Sequence, residues 1–114
     1  MLGHYLLDAD GNPQPCDDLL AWCRWYERAS KDRSRVVAAD KDEGPDGGEI
    51  LISTVFLGLD HNFDASGPPV LWETMVFGGA LDGETVRYAS RAAALAGHQT
   101  MSALVREALK NEQK

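Results

Sequence analysis

Two apolar runs, residues 50–59 and 70–77, flank a polar loop in the middle of this chain. The first run, ILISTVFLGL, is apolar at both odd and even positions, which predicts a strand central in its sheet. The second, VLWETMVF, predicts a neighbouring strand. Its alternation sets Leu71, Glu73, Met75 and Phe77 on one face and Val70, Trp72, Thr74 and Val76 on the other. Gly78 and Gly79 end that strand, and Asp82-Gly83 signals a hairpin, so residues 84–88 should return antiparallel. Residues 35–39, RVVAA, form a further short β-prone piece.

Helical spacing appears twice. Leu19, Trp22, Cys23 and Tyr26 fall on one face of a helix starting near residues 15–17, where Asp17 and Asp18 suit its positive end. Ser90 is placed to cap a last helix that runs to about Lys110. Its apolar stripe is Ala94, Gly97, Met101, Leu104, Val105 and Ala108, with His98 on the same side, and the small Ala94 and Gly97 permit close approach to a sheet. Near the start, Tyr5-Leu6-Leu7 is an apolar patch closed by the turn signal Asp10-Gly11-Asn12-Pro13. Residues 40–49, DKDEGPDGGE, hold five acids, three Gly and one Pro, which reads as a flexible, solvated loop. It resembles an EF-hand loop in outline. Its fifth position is Gly44 and its twelfth Leu51, however, so calcium binding is rejected. The expected architecture is one α+β domain over residues 1–114. It is an antiparallel four-stranded meander, with a short N-terminal strand as an optional fifth and two helices packed on one face.

Composition narrows the function classes. A net charge of -7 repels nucleic acid and anionic membrane, so neither is an expected direct partner, whereas a basic protein surface would be attracted. No segment has the length of a membrane span, and the start lacks the apolar core of a secretory signal. The two cysteines, Cys16 and Cys23, would lie about 10 Å apart along one helix, too far for a disulfide. They read as small core residues of a reducing cytoplasm.

No phosphate-binding loop, dinucleotide motif, nucleophile elbow or paired-cysteine zinc motif occurs. The candidate constellation is Asp60, His61 and Asn62 on the loop, Glu73 in a strand and His98 on the last helix. Such groups serve acid–base chemistry or bind a divalent metal, but their spacing requires neither, and no cofactor or metal is assigned. Each also has a structural reading. Asp60 and Asn62 would cap a turn, His61 would be a loop residue, Glu73 would be held by Arg87, Tyr88 or His98, and His98 would be a core histidine. If the helices cover the Leu71/Glu73/Met75/Phe77 face, Glu73 and His98 meet, and a hydrogen bond between them is expected. The opposite face, with Val70, Trp72, Val76 and Ile52 or Phe56, would then stay open and favour a homodimer.

STVFLGLDHNF (residues 53–63), GPPVLWETMVFGG (67–79), RYAS (87–90) and AGHQ (96–99) together resemble a family of small acidic proteins of tailed bacteriophages and prophages. The resemblance spans about Asp17 to Val105, and the LGLDH…ETMVFGG pairing is its distinctive part. It supplies no catalytic residues. The segment DKDEGPDGGE replaces a shorter one in the family, so that loop should lie outside any shared site. Ala93 stands where family members tend to carry an acid. The resemblance implies a protein of the host bacterial cytoplasm in an accessory role, binding a host or phage protein, with anti-defence inhibition as one form. The alternatives are a small metal-dependent or His/Glu enzyme around His61, Glu73 and His98, and a virion or assembly component.

Overall fold

A computed structural model of the chain describes residues 3–63 and 66–112. Eight elements follow in order: β1 (Tyr5–Leu7), β2 (Pro13–Pro15), α1 (Leu19–Lys31), β3 (Val36–Glu43), β4 (Glu49–Phe56), β5 (Trp72–Phe77), β6 (Thr85–Tyr88) and α2 (Arg91–Glu112). The fold is α+β. Strands β3-β4-β5-β6 form one antiparallel four-stranded sheet in meander order, and β1 and β2 pair separately as a two-stranded sheet. The N-terminal strand therefore exists, but in a small hairpin of its own. That hairpin is tied to the chain beyond β4 by Tyr5 N–H donating to Gly58 O at 2.8 Å and Asp60 N–H donating to Gly3 O at 2.9 Å.

Half of the segment expected as a loop at residues 40–49 is strand. Asp40 lies opposite Ile52, Lys41 opposite Leu51, Asp42 opposite Ile50 and Glu43 opposite Glu49. Acidic residues are poor strand formers, but β3 is an edge, where charged side chains reach water and discourage pairing with other chains. The actual turn is confined to residues 44–48. Gly47 there takes φ 84°, and the Asp46 carboxylate accepts the Gly48 N–H at 2.9 Å.

Both helices cap as their sequences ask. The Asp18 carboxylate accepts the Ala21 N–H, and the helix begins at Leu19, a few residues after the expected start near 15–17; Ser90 Oγ accepts the Ala93 N–H at 3.1 Å. The buried face of α1 also differs from the expected one. Trp22 and Ala29 are buried, Trp25 and Tyr26 are half-buried, and Leu19, Leu20 and Cys23 lie exposed. Cys16 precedes the helix and is half-buried, so the pair are not core residues. The aromatic face prevails because Trp22 fills the space beside Gly58 (φ 79°) and its indole N–H donates to Tyr5 O at 2.8 Å. Trp25 meets Phe56 edge-on, with ring centroids 5.9 Å apart.

Helix α2 lies along the sheet and contacts all four of its strands. The face it covers is the opposite of the one expected. Ile50, Ile52, Thr54 and Phe56 of β4, with Trp72, Thr74 and Val76 of β5, point toward it and are buried. Trp72, Val76, Ile52 and Phe56 are therefore core, and the dimer surface expected there is filled by α2. Glu73, Met75 and Phe77 point away, the arrangement that keeps the acid out of the apolar layers under α2, with its side chain 15% exposed beside Arg87.

The core has three layers along α2. At one end Ile50, Ile52 and Val76 pack on Met101 and Val105. At the other Phe56, Leu71 and Trp72 pack on Ala94, with Trp25 and Tyr88 against them. Between them lies a buried polar layer of Thr54, Thr74, His98 and Ser102. Close approach is set by Gly97, where a Cβ would collide with the Tyr88 ring. Leu104, expected in the stripe, is 51% exposed. No described helix is long and apolar enough to cross a membrane.

Candidate functional site

Among the described residues, the buried polar layer brings Asp40, Thr54, Thr74, His98 and Ser102 into one hydrogen-bonded cluster. His98 projects from the middle of α2 and uses both ring nitrogens. Nε2 lies 2.9 Å from Asp40 Oδ2 on β3, and Nδ1 lies 2.7 Å from Thr54 Oγ1 on β4. Thr54 Oγ1 is in turn 2.5 Å from Thr74 Oγ1 on β5, and Ser102 Oγ donates to Asp40 Oδ2 at 2.9 Å. A carboxylate only accepts, so Nε2 carries a hydrogen and donates to Asp40. In the neutral imidazole Nδ1 then accepts from Thr54, and Thr54 accepts from Thr74. Both threonine hydroxyls point toward the histidine, while that of Ser102 points to Asp40. Protonating Nδ1 would force both threonine hydroxyls to reverse.

Hydrogen bonds from Ser102 and then His98 hold the Asp40 carboxyl below its ordinary range, with Arg106 adding a smaller attraction against the cost of burial. The sequence hydroxyl–imidazole–carboxylate is that of a catalytic triad, but the surroundings are not. Thr54 and Thr74 are 0% exposed and His98 4%, so no substrate carbonyl could reach the hydroxyl. The groups satisfy one another, as buried polar groups must, and they tie α2 to β3, β4 and β5.

The expected site residues are dispersed. Glu73 is on the uncovered face, where its Oε2 accepts from Arg87 Nε at 2.9 Å, and Arg87 is its cross-strand neighbour. The expected Glu73–His98 bond is absent because Thr74, next in the strand, is the residue facing α2, and successive side chains alternate faces. Of the three partners considered for Glu73, Arg87 is the one that holds it.

Asp60 and Asn62 organise the loop after β4. Asp60 Oδ1 accepts the N–H groups of Asn62 at 2.8 Å and Val70 at 2.9 Å. Asn62 Nδ2 donates to Ser66 O and Pro68 O. His61 Nδ1 donates to Leu59 O at 2.8 Å, and its ring meets Phe63 edge-on. These bonds close the loop locally. Among the described residues no group of three or more His, Cys, Asp or Glu converges as a metal site would require. No protein-family model, curated protein or solved structure matches the chain.

Sequence reasoning missed Asp40, Thr54, Thr74 and Ser102. Asp40 was hidden inside an acidic run, and two threonines in apolar strands give no signal beyond their buried position. The other site-like feature is the sheet face away from α2. Across it, Val36 lies opposite Val55, Ala39 opposite Ser53 and Lys41 opposite Leu51, continued by Met75 and Phe77 on β5. Phe77 is 47% exposed.

Proposed function

We propose that this chain acts without catalysis, as an accessory protein of a tailed phage or prophage that binds a host or phage protein through the uncovered face of its sheet. Inhibition of a host defence machine is one form such binding takes. The observation that carries this reading is the composition of that face. An antiparallel sheet with one wet face normally alternates apolar-in and polar-out, yet Val36, Leu51, Val55, Met75 and Phe77 all point outward. Apolar patches rimmed by charge mark interaction sites. Four strands of about six residues present roughly 400 Å². One side of a standard interface buries about 800 Å², so the flanking turns must join. The net charge of -7 favours a basic partner and speeds its approach.

Capture from bacterial lysate tests it, comparing the wild-type chain with Met75→Glu after confirming that the variant is folded. A partner retained by the wild type and lost by the variant supports the reading. Equal capture by both overturns it.

Self-association through the same face is the second reading. Two ion pairs lie on it within each copy, Glu73 with Arg87 at 2.9 Å and Lys41 with Glu49 at 3.9 Å, which lowers the local repulsion between two copies. Sedimentation at rising concentration checks it, and a monomer throughout removes it. The acid–base reading of His61, Glu73 and His98 has no supporting geometry, since the three stand on a loop, on the wet face and under α2.

A further inference from the structure

Strand β6 ends the four-stranded sheet, and no described strand pairs with its outer edge. The Glu84 carbonyl accepts from Val76 N–H at 3.0 Å and the Tyr88 carbonyl from Leu71 N–H at 3.1 Å, so both turn inward to β5. Backbone direction alternates along a strand, and Thr85 and Arg87 therefore present N–H and C=O groups outward. The two edges of the sheet are protected unequally. β3 carries Asp40, Lys41, Asp42 and Glu43 and is irregular between Val36 and Ala38, devices that keep an edge from pairing. β6 has the sequence TVRY, with no proline, lysine or acid, and runs in unbroken register. Its one charge, Arg87, is engaged by Glu73.

We infer that β6 pairs antiparallel with β6 of a second copy about a twofold axis at Val86, making one continuous eight-stranded sheet. The register follows from the outward groups. An axis at Arg87 would set two arginines opposite each other, which is destabilising. An axis at Thr85 would oppose Arg87 to Gly83, whose N–H already donates to Val76 O at 2.8 Å. With the axis at Val86, Thr85 exchanges hydrogen bonds with the second copy's Arg87, and Arg87 with its Thr85. Val86, an exposed apolar residue, then meets its own counterpart with Cα atoms about 4.5 Å apart.

Charge selects a second copy as the occupant. The chain carries -7 overall, yet residues 82–91 hold two acids, Asp82 and Glu84, and two arginines, Arg87 and Arg91. The copies meet where their charge cancels. Antiparallel pairing also runs the acidic end of one strand beside the basic end of the other, and a twofold axis makes each contact twice. That axis stands perpendicular to the sheet, so both α2 helices lie on one side and the two uncovered faces join on the other. The joined faces reach roughly 800 Å², one side of a standard interface. This last consequence, a docking face completed by dimerisation, rests on the binding reading above.

The test is sedimentation equilibrium of the full chain from micromolar to millimolar concentration, with amide hydrogen exchange of the ¹⁵N-labelled chain read over the same range. The expected result is an average mass rising toward that of a dimer, while the Thr85 and Arg87 amides exchange more slowly as concentration rises. Val86→Lys sets two like charges at the axis and should weaken the dimer at least roughly tenfold. Thr85→Pro removes an outward N–H at the first residue of the strand, where proline is tolerated, and should weaken it too. Met75→Glu should dimerise as the wild type does. A monomer at millimolar concentration, an undiminished dimer in folded Val86→Lys and Thr85→Pro chains, or protection gained along β3 instead would overturn the inference. Met75-dependent capture by a chain that stays monomeric removes the edge pairing alone. A dimer lost in Val86→Lys beside capture indifferent to Met75 removes the docking face and leaves the pairing.

Discussion

Thr54 on β4 and His98 on α2 share a 2.7 Å hydrogen bond in a layer sealed from water. It lies between two apolar clusters, so sliding α2 along the sheet would bury an imidazole against Ile52 or Phe56 without a partner. Leaving a buried polar group unpaired costs about 1–3 kcal/mol. The polar layer thus fixes the register of helix on sheet, while the apolar layers supply most of the stabilisation.

His98→Ala should therefore destabilise the fold by about 2–4 kcal/mol, from a cavity plus the stranded Thr54 hydroxyl. Thr54→Val, which keeps the volume and loses the hydroxyl, should cost about 1–3 kcal/mol. Urea unfolding of each variant measures this, and capture of a partner by the sheet face should survive in the folded fraction. A His98→Ala protein of wild-type stability would show the layer to be dispensable.

Acid sensitivity follows from Asp40, whose pKa in the fold is lowered, first by the Ser102 hydrogen bond and then by His98. A group depressed on folding contributes fully above its unfolded value, near 3.8, and loses that contribution as pH falls through the lower folded value. Asp40→Asn should lower stability at neutral pH and flatten the decline below pH 3.8. With the Asp40 side chain 51% exposed, solvent screening keeps the difference modest. Asp8 and Asp32 are depressed in the same direction by local hydrogen bonds, so some acid slope should remain. Thermal melts from pH 2 to 7 would read both effects, and an identical acid limb in the variant would contradict the assignment.

Gly97→Ala should be harmful although alanine favours helices by about 1 kcal/mol over glycine. Its Cβ would enter the Tyr88 ring, and overpacking costs roughly 1–3 kcal/mol. Tyr88→Ala in the same chain should recover part of the loss. A stabilised Gly97→Ala variant would mean that α2 does not approach β6 this closely.

Glu73 and His98 should behave as independent residues. Glu73→Gln weakens the part-buried cross-strand pair with Arg87, and its effect should add to that of His98→Ala within about 0.5 kcal/mol. Strong coupling in the double variant would restore the contact that the opposed faces exclude.

Local chemistry was enough to reveal the four strands, the Asp82-Gly83 hairpin, the Ser90 cap and the small residues that bring α2 close. Turns, caps and periodicity act over a few residues, so the sequence by itself determined them. It did not determine which face α2 would cover. β4 and β5 are apolar on both sides, Ile50, Ile52 and Phe56 against Leu51 and Val55, and hydrophobicity alone leaves the two packings nearly equal. The tertiary structure decided it by where the polar groups could be satisfied. Glu73 meets Arg87 on the wet side, while Thr54, Thr74, His98, Ser102 and Asp40 complete one another on the other. Those five come from four elements far apart in the chain, and only folding brings their donors and acceptors within reach.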